Sequence, residues 1–168
     1  MNPSSQMNPS SQKIQEYLRS VGVDARVMEM PATTRTAKEA ARAIGCSVAQ
    51  IAKSILFRTA HSGRPVLIVA SGANRVDERL MGEFIGEQIE KATPDFVRET
   101  TGFAIGGVPP VGHSIAIETW IDRELLQFDI IWAAAGTPFS VFAIAPGQLQ
   151  NMTGGKIQSV CAKAGGKT

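Results

Sequence analysis

The feature that most restricts this chain is the unbroken apolar run Pro65-Val66-Leu67-Ile68-Val69-Ala70. A run of strand length with no polar alternation reads as a strand buried on both faces, and such a strand needs packing layers above and below it. Ser54 to Arg58 reads as a second strand just before it, and His61 to Arg64, which contains Gly63, supplies a turn between them. The two strands are expected to pair as a hairpin inside a larger sheet.

Helical signals surround this hairpin. Ile14, Tyr17, Leu18 and Val21 fall at helical spacing with Gly22 after them. After a short extended piece around Arg26 to Met28, Thr36 and Glu39 form a capping-box pattern, Ala37, Ala40, Ala41 and Ile44 make one apolar face, and Gly45 closes it. Ser47 and Gln50 repeat the capping pattern for a short helix running into Lys53. Asp77 starts another helix through Ile85, and Thr93-Pro94 starts one that ends near Gly102. Phe103 to Ile105, Ser114 to Ile117, Asp129 to Ala134, Phe139 to Ile144 and Ile157 to Val160 are the remaining strand candidates. The expected fold class is mixed α/β, a central, mostly antiparallel mixed sheet flanked by helices.

At 168 residues and 43% hydrophobic content, the chain has the size of one domain and can bury a core without disulfides or metals. Its first twelve residues are the tandem MNPSSQ-MNPSSQ, polar throughout, and read as a disordered tail or a start-site artefact, leaving 13–168 as a single domain. Cys46 and Cys161 show neither zinc-site spacing nor the density of a disulfide scaffold, so both are expected to be buried, reduced thiols. No apolar run reaches the ~20 residues that span a bilayer, and the N-terminus lacks the basic and apolar regions of a secretory signal. A cytoplasmic protein without membrane contact is expected. Seventeen basic and fifteen acidic residues give a formal net charge of +2, which neither establishes nor excludes a polyanionic partner.

The common catalytic signatures are missing: there is no G-x-S-x-G elbow, no C-x-x-C, no H-E-x-x-H and no Walker loop. The two histidines, His61 and His113, have no carboxylates at ligand spacing, so no metal is expected. Ser54, Ser71 and Ser114 have no base placed beside them. The segment Gly106-Gly107-Val108-Pro109-Pro110-Val111-Gly112-His113 packs three glycines and two prolines into eight residues between two expected strands. Glycine allows close approach and proline stiffens, so such a loop either aims amides at a ligand or simply connects strands. Ala135-Gly136-Thr137-Pro138 breaks two strands in the same manner. Lys53, between Ala52 and an apolar strand, either lies near the sheet in a site or snorkels to solvent.

Taken together, Ile51-Ala52-Lys53-Ser54-Ile55-Leu56-Phe57, the loop Gly106 to His113 and the Gly136-Thr137 turn resemble the YbaK/EbsC family, which includes the editing domain inserted in bacterial prolyl-tRNA synthetases. The likeness covers roughly Lys13 to Val160. It implies that family's fold and a freestanding hydrolase that removes wrong amino acids from tRNA, most often tRNA(Pro), without a cofactor and without DNA.

Residue by residue, Lys53 matches the family's essential lysine, which would bind the terminal adenosine or its phosphate. Gly106 to Pro110 fits a G-x-x-x-P loop whose backbone would face the aminoacyl carbonyl, and Gly136 matches the glycine of the opposing loop. The resemblance thus makes Lys53, Gly106 and Gly107 the catalytic positions. It makes Ser54, Val108, Pro109, Pro110, Gly112, His113, Gly136 and Thr137 the substrate-binding ones. His113 departs from the glutamine that cysteine-specific relatives carry, which argues against that subgroup. An aminoacyl ester is already activated, so fixed amides, an oriented water and size exclusion suffice, and the ribose hydroxyl of the substrate can help activate the water.

The resemblance implies a small substrate residue (alanine, 2-aminobutyrate, cysteine, serine or threonine), with a small apolar or near-apolar one preferred, and prolyl-tRNA synthetase as a second partner. Two rivals remain: a non-catalytic module that docks tRNA or a synthetase, and a general deacylase of small amino-acid esters. Lys13, Arg19, Arg35, Lys38 and Arg42 either line an acceptor stem or form a solvated face.

Overall fold

Asn8 caps the first helix by accepting a hydrogen bond from Ser10 N at 2.8 Å, and Pro9 stands at the first helical position, where its missing N–H costs nothing. In this computed structural model, which describes residues 7–161, α1 therefore spans Pro9–Ser20. This corrects the expected tail. Residues 1–6 lie outside the described residues, but the second hexapeptide copy is part of the fold: Ser11 is fully buried and its hydroxyl donates to Ser140 Oγ at 2.9 Å. A polar hexapeptide gives no apolar signal, yet its Asn-Pro pair is a helix start.

The chain continues through β1 (Met28–Glu29) to α2 (Ala37–Ile44), whose capping box between Thr36 and Glu39 forms as the sequence predicts. A 3-10 turn at Val48–Gln50 leads into β2 (Ile51–Thr59), so Lys53 sits inside the strand. β3 (Pro65–Ser71) completes the central hairpin, paired from Ala52↔Ser71 to Arg58↔Pro65. Next come α3 (Glu78–Ile85), capped by Asp77, β4 (Ile89–Lys91) and α4 (Pro94–Thr101), capped by Thr93.

The following strand is β5 (Glu118–Asp122), not Phe103–Ile105 or Ser114–Ile117. Those two apolar clusters serve a long loop instead: Phe103 is buried with its N–H on the Thr101 hydroxyl, Ser114 N bonds Thr101 O, and Ile105 and Ile115 are more than half exposed. The segment Gly106–His113 accordingly joins α4 to β5 rather than strand to strand. β6 (Ile131–Ala134), β7 (Ser140–Ile144), α5 (Pro146–Thr153) and β8 (Lys156–Gln158) complete the described chain.

All eight strands form one mixed sheet of order β1-β7-β6-β2-β3-β5-β8, with β4 also on β2. Four of its seven pairings are antiparallel, and β2–β6, β3–β5 and β5–β8 are parallel. β3 is the strand buried on both faces. Leu67 and Val69 join Ile14 and Leu18 of α1, Val97 of α4 and Leu149 of α5, while Val66, Ile68 and Ala70 pack with Met81 and Ile85 of α3. A smaller cluster seats Ala40 and Ala41 of α2 on Ile51. No described helix is long and apolar enough to cross a membrane.

Candidate active site

β3 occupies one edge of β2 along nearly its whole length, so every other partner of β2 must share the opposite edge. β6 pairs there only with Ile51 and Ala52, and β4 only with Phe57 to Thr59. The stretch between them has no strand beside it. Ala92 N donates to Leu56 O at 3.1 Å across this edge. Because main-chain groups alternate from edge to edge, Ser54 turns its N–H and C=O the same way as Leu56, into the gap.

A cleft of about 450 Å³ fills this gap and reaches both faces of β2. On one face it is lined by Ala52, Ser54 and Leu56, with Val97 of α4 and Val108. On the other lie Ile51, Lys53 and Ile55, with Ala37 and Ala40 of α2 nearby. The walls are apolar; the charged groups are Lys53, Lys91 and Arg35, and no carboxylate, histidine or cysteine lines the cleft among the described residues. The ion pairs among the described residues are those of Arg64 with Glu87 and Glu118, so none of the three cations of the cleft is ion-paired among them. Burial, then the charges of Lys91 and Arg75, push the Lys53 amine below its ordinary pKa, and Asp122 opposes them. Such a cleft attracts an anion, and among the described residues it brings no histidine, cysteine or carboxylate to the Ser54 hydroxyl or the Lys53 amine.

Of the residues expected at the site, Lys53, Ser54, Gly106 and Val108 line the cleft. Gly106 has φ +101°, and a Cβ there would stand 3.1 Å from Arg35 Nε, so Arg35 lies across its bare face. Gly107 meets the opposing loop: a Cβ on it would fall 2.6 Å from the Thr137 main chain, and its carbonyl accepts from Gly136 N at 2.9 Å. Thr137 is spent locally, its hydroxyl sharing a 2.8 Å hydrogen bond with Ser140 Oγ and accepting from Phe139 N.

Pro109, Pro110, Gly112 and His113 do not line the cleft. Pro110, Gly112 and His113 border a separate depression beside Lys13 and Tyr17 of α1. His113 Nε2 donates to Pro109 O at 2.6 Å, and burial, its largest influence, holds the imidazole below its ordinary pKa, with Lys13 acting in the same sense. Sequence reasoning did not find Lys91, Val97, Ala37 or Ala40 as wall residues; Arg35 carried only the signal of its charge.

An acid-free, cationic cleft at an interrupted sheet edge defines a class of site suited to an anionic, pre-activated substrate. The Aminoacyl-tRNA editing domain family matches residues 31–152, and the chain belongs to this family. In structure it is similar to a candidate trans-editing enzyme for prolyl tRNA synthetase, with a TM-score of 0.88 and 42% identity over 94% of this chain and 99% of the other. It is also similar to hypothetical protein APE2540, with a TM-score of 0.82 and 30% identity over 88% and 98% of the two chains. Among curated relatives, YwhH of Bacillus subtilis (strain 168), itself uncharacterized, is 32% identical over 78% of this chain and 83% of its own. EbsC of Enterococcus faecalis (strain ATCC 700802 / V583), a candidate Cys-tRNA(Pro)/Cys-tRNA(Cys) deacylase, is 24% identical over 76% and 78%. The chain is an aminoacyl-tRNA deacylase, a hydrolase of the ester between amino acid and tRNA.

Proposed function

We propose that this deacylase clears a small, wrongly attached amino acid from tRNA, with tRNA(Pro) as its main carrier, and that the cleft beside Ser54 is where it does so. The observation that carries the reading is the pairing of an open strand edge with three cations that have no ion pair among the described residues, and no acid in the lining. Lys53 holds the terminal adenosine or its phosphate and so orients the ester. The Ser54 N–H, free on the open edge, and the N–H groups of Gly106 and Val108 are the donors for the carbonyl oxygen as it gains negative charge, the Gly107 N–H being held by Ala104 O.

Water adds to the carbonyl carbon, the bond from that carbon to the ribose oxygen breaks, and the ribose oxygen takes up the proton. Free amino acid and deacylated tRNA result. The ribose hydroxyl of the substrate, rather than a protein base, helps activate the water. Selection is by size: the apolar walls admit a small residue, although one methylene is worth only ~1–3 kcal/mol of discrimination.

The test is hydrolysis of tRNA(Pro) charged separately with alanine, 2-aminobutyrate, cysteine, serine, threonine and proline, by wild type and Lys53→Ala. The expected result is rapid loss of one or more small residues with proline spared, and a fall of about 100-fold or more in Lys53→Ala at an unchanged melting temperature. Near-normal turnover by that variant would remove Lys53 from the mechanism, and survival of every ester on tRNA(Pro) would remove this carrier.

A further inference from the structure

Among the described residues, Ser54 Oγ is the one buried side-chain polar atom with no hydrogen-bond partner. The fold satisfies its other buried hydroxyls readily: Ser11 donates to Ser140, Ser71 to Ala49 O, Thr101 to Val97 O and Thr119 to Ile117 O. An orphan hydroxyl is therefore not a general habit of this molecule, and it falls on the wall of the deacylation cleft. Its side chain shares the β2 face of Ala52 and Leu56, and Val97 and Val108 line the cleft with it. None of these side chains can bond it.

We propose that Ser54 Oγ determines substrate class, pairing with a hydroxyl on the β-carbon of the aminoacyl group so that a seryl ester is preferred to an alanyl ester. The inference rests on the deacylase reading above and deepens it. An ester held by the Ser54 main chain brings its own side chain within reach of the Ser54 side chain. Rotation about one bond, between staggered positions, turns the hydroxyl into the cleft.

The free protein has already stripped water from Oγ, so a substrate hydroxyl gains a hydrogen bond without further desolvation of the site. An alanyl methyl leaves Oγ as it was, and a cysteinyl thiol, a weaker partner, falls between. This replaces preference for an apolar residue with preference for a small hydroxylated one.

The experiment measures kcat/KM on seryl-tRNA(Pro) and alanyl-tRNA(Pro) for wild type, Ser54→Ala and Ser54→Thr, with melting curves for all three. Wild type is expected to favour the seryl ester, and the seryl-to-alanyl ratio to fall about 10- to 100-fold in Ser54→Ala. Ser54→Thr keeps the hydroxyl and is expected to keep most of the ratio while its added methyl slows both esters.

Equal losses on both esters in Ser54→Ala would mean that Oγ holds a group common to all aminoacyl esters, such as the ammonium, and would overturn the proposal. An unmoved ratio, or a wild type that favours alanyl, would overturn it too. So would a marked drop in the melting temperature of Ser54→Ala, because it would show that Oγ has a partner in the free protein. If wild type cleaves no small aminoacyl ester on any tRNA, the deacylase reading itself fails and this inference with it; an active wild type that spares the seryl ester, or shows an unmoved ratio, sinks only the role of Ser54.

Discussion

The segment Gly106–His113 divides at Pro109 into two regions of like composition and unlike use. On one side Gly106 and Val108 face the cleft and Gly107 presses on the opposing loop. On the other, Pro110, Gly112 and His113 lie against α1, and the His113 ring folds back onto the Pro109 carbonyl. Both halves need glycine because something approaches closely: the Thr137 main chain at Gly107, and Ile14 Cδ1 at Gly112, where an added Cβ would stand 2.8 Å away. The first contact sets the width of a site, and the second seats a helix. Residue type alone does not distinguish them.

The largest effect that would break this division comes from substituting those two glycines. In Gly107→Ala the new methyl meets backbone at 2.6 Å, which cannot swing aside as a side-chain tip can. A stability loss of about 1–3 kcal/mol is expected, together with a disproportionate loss of deacylation as the two loops part. Gly112→Ala is also strained, at φ +78°, but is expected to cost stability alone, the remaining folded protein turning over at near the wild-type rate. Denaturant melts beside single-turnover rates separate the two, and equal rate losses would mean that the whole segment belongs to the site.

Local features were the legible ones. The Thr36–Glu39 box, the Asp77 and Thr93 caps and the hairpin of β2 and β3 are decided within a few residues, and the structure shows them as the sequence implies. Lys53 and Gly106 were legible through the family resemblance. The gap beside Ser54 was not, since it depends on where β6 leaves β2 and β4 joins it, from residues about 80 and 35 positions away in the chain. β5 was missed because Glu118 to Asp122 mixes acids with Thr and Trp, while the more apolar Ser114 to Ile117 next to it belongs to a loop. α5 was passed over although Pro146 stands at its start and Gly154 at its end, because two of its eight residues are buried and it shows little apolar stripe.

A smaller effect sharpens the cleft half of the comparison. Arg35 is exposed, lies across Gly106 and has no ion pair among the described residues. Its carrier segment is tied to the opposing loop by Thr34, whose N–H and hydroxyl both bond Pro138 O, at 2.6 and 3.0 Å. If this guanidinium meets an RNA phosphate, Arg35→Ala raises KM about 3- to 10-fold, leaves kcat nearly unchanged, and lowers the salt dependence of kcat/KM by about one in logarithmic slope. A fall in kcat with the salt slope unchanged would place Arg35 at the ester instead.

The smallest effect probes the half that faces α1. Burial, and with it the charge of Lys13, keeps folded His113 below its ordinary pKa, against the opposing pull of the Pro109 carbonyl that accepts from Nε2. Glu16 and Tyr17 border the same depression. With the folded pKa lower than the unfolded value of about 6.5, the unfolded chain binds the extra proton first. The contribution of His113 is thus full above about pH 6.5 and is lost as the pH falls below it towards the folded pKa. Wild type should lose a few degrees of melting temperature between about pH 7.5 and about pH 5.5 that His113→Gln, which offers an amide N–H and does not titrate, keeps. Identical pH profiles would mean that the ring opens to solvent on protonation. A pH-dependent change in deacylation that follows His113 while stability stays flat would move this residue back into the site.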